Sequence, residues 1–238
     1  MDANSLIKLA EDAKKYKFYL SEDQLNTFDK YGDFLKEYNT RVNLTSIVDD
    51  YDIVEKHFLD SLIMGKYIDT NDNLIDVGSG AGFPGVPLKI VNNSLKVTLL
   101  DSITKKTTFL NILKKELILD YSILNFRAEK LGNDINYREK YTTVIARAVK
   151  NLKELCEYCL PLIAVGGKFI SMKGHIIKEE IKQATEIIST LGGKIILIDE
   201  YWLPSEDKRS AIVIKKISQT PSKYPRTSSK ISKNSLSK

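Results

Sequence analysis

The run Asn73-Leu-Ile-Asp-Val-Gly-Ser-Gly-Ala-Gly-Phe-Pro-Gly85 constrains this chain more than any other. Leu74 to Val77 reads as a buried strand, and the glycines after it as a tight turn into a helix. Gly78, Gly80 and Gly82 permit a sharp turn and a close backbone approach to a ligand that a Cβ would repel. In an open α/β sheet, ligands sit at such a junction, outside the carboxyl ends of the strands. Asp101, the next acidic residue to end a strand, follows Gly82 by nineteen residues. That spacing suits a carboxylate accepting hydrogen bonds from ribose hydroxyls. The stretch predicts a nucleoside-containing cofactor between Gly78 and Asp101.

Gly80, Gly82 and Gly85 also fit the dinucleotide pattern G-x-G-x-x-G, which alone is weak evidence for NAD. Two features count against NAD. Pro84 and Pro87 lack the N–H groups that a helix opening presents to a pyrophosphate. Asp76, inside the strand, is unusual for a dinucleotide fold. It suits S-adenosylmethionine, which has no phosphate and brings an ammonium and a carboxylate instead.

The remainder alternates strand and helix. Apolar or β-branched runs fall at 74–77, 97–100, 122–126, 143–146, 168–172, 194–198 and 211–214. The clearest helix is 176–191, with Ile177, Ile181, Ala184, Ile188 and Leu191 on one face and Gly192-Gly193 as its stop. Only Trp202 to Arg209 links the last two strands, too short for a parallel crossover, so they form an antiparallel pair. Seven strands ending in a hairpin is the class I methyltransferase plan. Before the sheet, residues 1–72 read as a helical extension. Ser21 and Gln24 form a capping box. Leu25, Phe28, Tyr31, Leu35 and Tyr38 give the helix after it an apolar face for packing on the main domain. A further helix from about Asp50 carries His57 and Asp60 on neighbouring turns. On spacing alone His57 reads as a core histidine.

The predicted domains are thus the extension (1–72), a Rossmann-like domain (73–217) and a basic tail (218–238), with net charges of −6, +6 and +5. The combined positive charge of the last two suggests a polyanionic partner such as nucleic acid. The tail, rich in Ser and Lys, is expected to be flexible. Hydrophobic residues make up 42% of the chain, enough for a substantial core, and no apolar run reaches the length of a membrane span. Cys156 and Cys159 read as half-buried helix residues in a reducing cytoplasm rather than as a metal or redox site.

Taken in order, several landmarks resemble one family. They are Arg41-x-Asn43-Leu44-Thr45, His57-x-x-Asp60-Ser61, Asp76 to Gly85, Leu100-Asp-Ser102 with Lys105-Lys106, Arg127-Ala-Glu129, Ala146-Arg147-Ala148 and Lys173-Gly174. The family is the RsmG-type (glucose-inhibited division protein B) 16S ribosomal RNA guanine-N7 methyltransferases. The resemblance runs from about Tyr38 to Arg226. The family's tail motif is kept at Tyr224-Pro225-Arg226, Lys233 and Leu236, but Ser229, Ile231 and Ser235 replace its glycine and two prolines.

The resemblance implies a class I fold, S-adenosylmethionine as cofactor, and a cytoplasmic, monomeric enzyme acting on small-subunit ribosomal RNA or a ribosomal particle. Gly78, Gly80 and Phe83 would line the methionine end, Asp101 the ribose, and Ala128 and Glu129 the adenine. Arg147 would meet the methionine carboxylate or the substrate, unless it merely pairs with an acid such as Asp76. Arg41, Asn43, His57 and Lys173 would serve the substrate side. The fourth strand lacks the Asp/Asn-Pro-Pro-aromatic motif of enzymes that methylate exocyclic amines. Guanine N7 needs no such acceptor, so no residue is expected to act as an acid or base. An NAD-dependent oxidoreductase and a catalytically silent RNA-binding module are the rival readings.

Overall fold

The computed structural model describes residues 1–147, 150–174 and 178–235. Ala148, Ile177 and Leu236, named above, lie outside them. The N-terminal region forms α1 (Ala3–Lys15), α2 (Glu22–Asn39) and a third rod made of α3 (Asp50–Ile53), a π-helical turn (Val54–Leu59) and α4 (Asp60–Ile63). The capping box is present: the Ser21 hydroxyl accepts from Gln24 N at 3.2 Å, and Ser21 N donates to the Gln24 side chain at 2.9 Å. Phe28, Tyr31 and Leu35, on the predicted apolar face, are fully buried.

The sheet contains β1 (Asn73–Val77), β2 (Lys96–Leu100), β3 (Ser122–Leu124), β4 (Tyr141–Arg147), β5 (Ile163–Lys173), β6 (Gly193–Trp202) and β7 (Lys208–Lys216). Its order is β3-β2-β1-β4-β5-β7-β6. β1 to β5 pair in parallel, and β7 runs antiparallel to both β5 and β6. The expected terminal hairpin is therefore present. Connections run one way from β1 and the other way from β4, so the switch point lies at their carboxyl ends, where such sheets bind ligands. α5 (Gly85–Val91), α6 (Thr104–Glu116), α7 (Ala128–Leu131), α8 (Leu152–Cys159), α9 (Lys178–Thr190) and α10 (Ser228–Ser235) complete the described α-helices.

Parallel strands covered on both faces must bury both sets of side chains. Leu74 joins a core with Ile145, Ile170 and the N-terminal helices. Ile75 and Val77 point the other way, into a core with α8 and α9. The extension thus supplies one of the two cores. Cys156 and Cys159 are fully buried in the second core, not half-buried, and burial pushes both thiols well above their usual range.

The described part of the tail corrects the expectation of a flexible segment. Arg226 holds the buried Glu157 with two side-chain bonds, at 2.8 and 2.6 Å. Arg138 donates to the carbonyls of Thr220 and Tyr224, each at 2.7 Å. Ile231 is buried in the second core. Composition concealed this because the anchoring acids, Glu157 and Glu139, lie outside the tail.

Candidate active site

The turn after β1 supplies one wall of a cleft of about 570 Å³ at the sheet's switch point. Gly78, Gly80 and Gly82 have φ of +76°, +59° and +99°, a region that side chains rarely tolerate. Gly78 N and Ser79 N donate to Leu100 O at 2.8 and 3.1 Å, which locks the turn to the end of β2. Asp101 follows directly and is only 6% exposed. Its Oδ2 accepts from Gly80 N at 3.0 Å and its Oδ1 from Ile103 N at 2.9 Å. An ionised carboxylate has about four acceptor sites, so each oxygen keeps capacity for a further donor. Lys106 Nζ stands 3.8 Å away.

Asp76 faces inward. Its Oδ2 accepts from Gly85 N at 2.9 Å, and its Oδ1 has no partner among the described residues. Burial pushes its pKa up to about 7, against the pull of that N–H and of Arg147. Position 85 has little room for a side chain, since a Cβ there would lie 2.4 Å from Leu99 and 3.0 Å from Asp76.

Thr45, His57, Phe83 and Arg147, from four separate segments, build the opposite wall. Phe83 stacks on Tyr31 and on His57, with ring centroids 5.2 and 4.3 Å apart. The Tyr31 hydroxyl donates to Ala81 O at 2.5 Å, which ties α2 to the glycine turn. Arg147, at the end of β4, lies over the Phe83 ring at 5.0 Å. It donates to Lys56 O at 2.8 Å, and its Nη2 sits 3.1 Å from His57 Nδ1. His57 Nε2 is 3.0 Å from Thr45 Oγ1. Burial, helped by the Arg147 charge, lowers the His57 pKa to about 3. The acid partner of Arg147 is Asp60 at 3.6 Å, not Asp76, and Asp60 also accepts from the Tyr201 hydroxyl at 2.7 Å. The π-helical turn carries His57, and such turns are frequent at functional sites.

A third side is apolar and open. Ile103 and Phe126 line the cleft yet remain 42% and 52% exposed. Ala128 and Glu129 begin α7, where first-turn N–H groups have no intrahelical acceptor.

A model of the family described as "rRNA small subunit methyltransferase G" matches residues 24–201. The ribosomal RNA small subunit methyltransferase G of Acetivibrio thermocellus is 52% identical over 231 residues, 96% of this chain and 95% of that protein. The protein of that name from Desulforamulus reducens is 45% identical over 224 residues, 92% and 93% of the two chains. The chain belongs to the ribosomal RNA small subunit methyltransferase G family. Its fold is similar to that of a ribosomal protein L11 methylase from Lactobacillus delbrueckii subsp. bulgaricus, with a TM-score of 0.54 at 13% identity over 68% of this chain and 79% of the other. The family's reaction is S-adenosylmethionine-dependent methylation of small-subunit ribosomal RNA, so the NAD reading gives way.

Among the residues expected at a methyltransferase G site, Gly78, Gly80, Phe83, Asp101, Ala128, Glu129, Arg147 and His57 line this one cleft. Arg41 and Asn43 are exposed and outside its lining, with Arg41 paired to Glu37 at 3.1 Å. Lys173 is not in the lining: its ammonium is held by Glu180 at 2.7 Å and by the carbonyl of Lys150, a lining residue, at 2.6 Å. Thr45, Ile103, Lys106, Phe126, Tyr158 and Ser228 line the cleft and were not foreseen as site residues. Thr45, Lys106 and the Leu100-Asp101-Ser102 stretch beside Ile103 lay within landmarks. Tyr158 and Ser228 come from α8 and the tail, and nothing local in the sequence points to them.

Proposed function

We propose that this cleft binds S-adenosylmethionine along the β1–β2 wall and that the chain methylates N7 of a guanine, with no side chain acting as general acid or base. The residues present fit the cofactor. Asp101, preset by two backbone N–H groups, keeps acceptor capacity for the ribose hydroxyls. Ile103 and Phe126 offer exposed apolar surface to the adenine, beside the free N–H groups of Ala128 and Glu129. Gly78 and Gly80 leave the methionine end uncrowded, with Phe83 beyond them. When bound, the cofactor supplies an electrophilic methyl group to the base. In this reading residues 73–217 carry the chemistry, and residues 1–72 contribute the substrate-facing wall through Thr45 and His57.

One observation carries the assignment of the acceptor: His57, the one histidine lining the cleft among the described residues, is fully bonded. Both His57 ring nitrogens are bonded, and its pKa of about 3 leaves it a very weak base. Asp60 faces Tyr201 and Arg147, Asp76 Oδ2 is bonded to Gly85 N, and neither acid lines the cleft. Guanine N7 suits such a site because its in-plane lone pair attacks without prior loss of a proton. Catalysis then rests on holding the base at near-attack distance. The A-form major groove is too deep and narrow to expose N7, so the target is an unpaired guanine in RNA or in a ribosomal particle. The positive domain and tail, at +6 and +5, suit the surrounding phosphates.

The test uses the whole chain with 16S ribosomal RNA, with small-subunit particles, and with labelled S-adenosylmethionine. Digestion of the product should yield N7-methylguanosine. The single-turnover rate should show no tenfold rise per pH unit between about pH 6 and pH 9, because no base must ionise. Label on an exocyclic amine or a ribose, or a rate that rises tenfold per pH unit through this range, would overturn the proposal.

A further inference from the structure

The hydrogen bonds of the far wall have a direction, and that direction ends at Thr45. A guanidinium only donates, so His57 Nδ1, 3.1 Å from Arg147 Nη2, must accept. The single N–H of the neutral imidazole therefore sits on Nε2 and points at Thr45 Oγ1, 3.0 Å away. Thr45 Oγ1 accepts a second bond from Ile47 N at 3.1 Å. Two lone pairs are then filled, and the hydroxyl can only donate. Among the described residues nothing accepts its proton, and Thr45 lines the cleft.

The network is rigid at both ends. His57 is stacked on Phe83 with an interplanar angle of 18°, and Arg147 is anchored by Lys56 O. The loop bearing Thr45 is braced by Asn39, whose side chain accepts from Leu44 N and Thr45 N and donates to Thr45 O. A threonine hydroxyl ordinarily serves as donor or acceptor as its partner requires. Here the relay from Arg147 through His57 removes that choice.

We propose that the Thr45 hydroxyl is a specificity-determining donor to the target base, selecting a carbonyl oxygen beside the methylated nitrogen. This rests on the guanine-N7 reading above. In guanine the group next to N7 is the O6 acceptor, whereas in adenine it is an amino donor. A donor-only hydroxyl meets O6 with a hydrogen bond and meets the adenine amine with two opposed donors. Leaving buried polar groups unpaired is how a site rejects an analogue strongly.

The experiment compares wild type, Thr45→Val and Thr45→Ser on small-subunit particles, with S-adenosylmethionine affinity measured by calorimetry on the same preparations. Thr45→Val should bind the cofactor as wild type does, which also reports its folding, and lose about ten- to hundred-fold in kcat/KM for the particle. Thr45→Ser should stay within about threefold of wild type, since it keeps the donor. From the RNA side, wild type should lose a similar factor on particles reconstituted with 2-aminopurine at the target position, which keeps N7 but lacks O6. That arm holds even if Thr45→Val fails to fold. Weakened cofactor binding in a folded Thr45→Val, or unimpaired turnover in that variant or on 2-aminopurine, would overturn the proposal. Identification of the wild-type product tests the guanine-N7 reading separately, because it involves no variant.

Discussion

The two long walls of the cleft are made in opposite ways. The β1–β2 wall is backbone: three glycines with positive φ and a carboxylate held by its neighbours' N–H groups, all within residues 78–103. The far wall is side chains: Thr45, His57, Phe83 and Arg147, brought together from a loop, a π-helical turn, the glycine turn and the end of β4. Ser228 of the tail also lines the cleft, 3.4 Å from the Tyr158 hydroxyl. A wall of local backbone is robust to distant changes and sensitive to a single Cβ. An assembled wall depends on every element that delivers a side chain to it.

The largest effect should separate two glycines of the backbone wall. At Gly82, φ is +99° and an added Cβ would lie 2.7 Å from Val86, 2.8 Å from the Tyr31 hydroxyl and 3.2 Å from Leu110. Overpacking and backbone strain together should cost Gly82→Ala about 3–5 kcal/mol. At Gly80 the nearest atom to a Cβ is 3.9 Å away. Gly80→Ala should cost only the left-handed strain, about 1–2 kcal/mol, while weakening the cofactor. Urea unfolding of both variants checks this, and equal losses of stability would show that the wall does not divide fold from ligand.

Next comes the anchor of the assembled side. Arg226 is the bidentate partner of Glu157, whose side chain is 1% exposed. Arg226→Ala leaves that carboxylate buried with only the backbone N–H of residue 226 and no cation, which should cost on the order of 2–4 kcal/mol. Truncation after residue 217 should cost at least as much, since it also removes Ile231 from the second core. An unchanged melting temperature for both would mean the tail does not hold the domain.

The same contrast explains what could be read in advance. The seven strands, the terminal hairpin and the glycine turn after β1 follow from patterns a few residues long, where turn chemistry and alternation act locally. The partner of Arg147 did not, because Asp60 and Asp76 are equally plausible acids until α4 is packed against β4. The ion pair of Lys173 with Glu180 left no trace because Glu180 lies on a different element. The tail read as free because its composition is polar, while the buried acid that orders it sits in α8. Pairing between distant residues leaves little local trace.

Asp101→Ala tests the backbone wall through its one functional side chain. It should weaken S-adenosylmethionine by about 1.5–3 kcal/mol, the scale of charge-assisted hydrogen bonds. Turnover at saturating cofactor should change less, because the far wall is untouched. Loss of turnover with normal cofactor affinity would place Asp101 on the substrate side and undo the division.

The smallest effect belongs to Arg41, which marks where the assembled wall ends. Its ion pair with Glu37 is exposed on both sides, at 70% and 67%. Such pairs contribute about 0–1 kcal/mol, so Arg41→Ala should leave stability nearly unchanged. It sits four residues before Thr45 yet outside the cleft lining, so it should contact RNA phosphate and not the base. The variant should then bind RNA more weakly, with a salt dependence shallower by roughly 0.7 in slope for one lost single-strand phosphate contact. At saturating RNA the methylation rate should match wild type, unlike Thr45→Val. A fall in that rate with an unchanged salt slope would place Arg41 at the base and extend the assembled wall outward past the Asn39-braced loop.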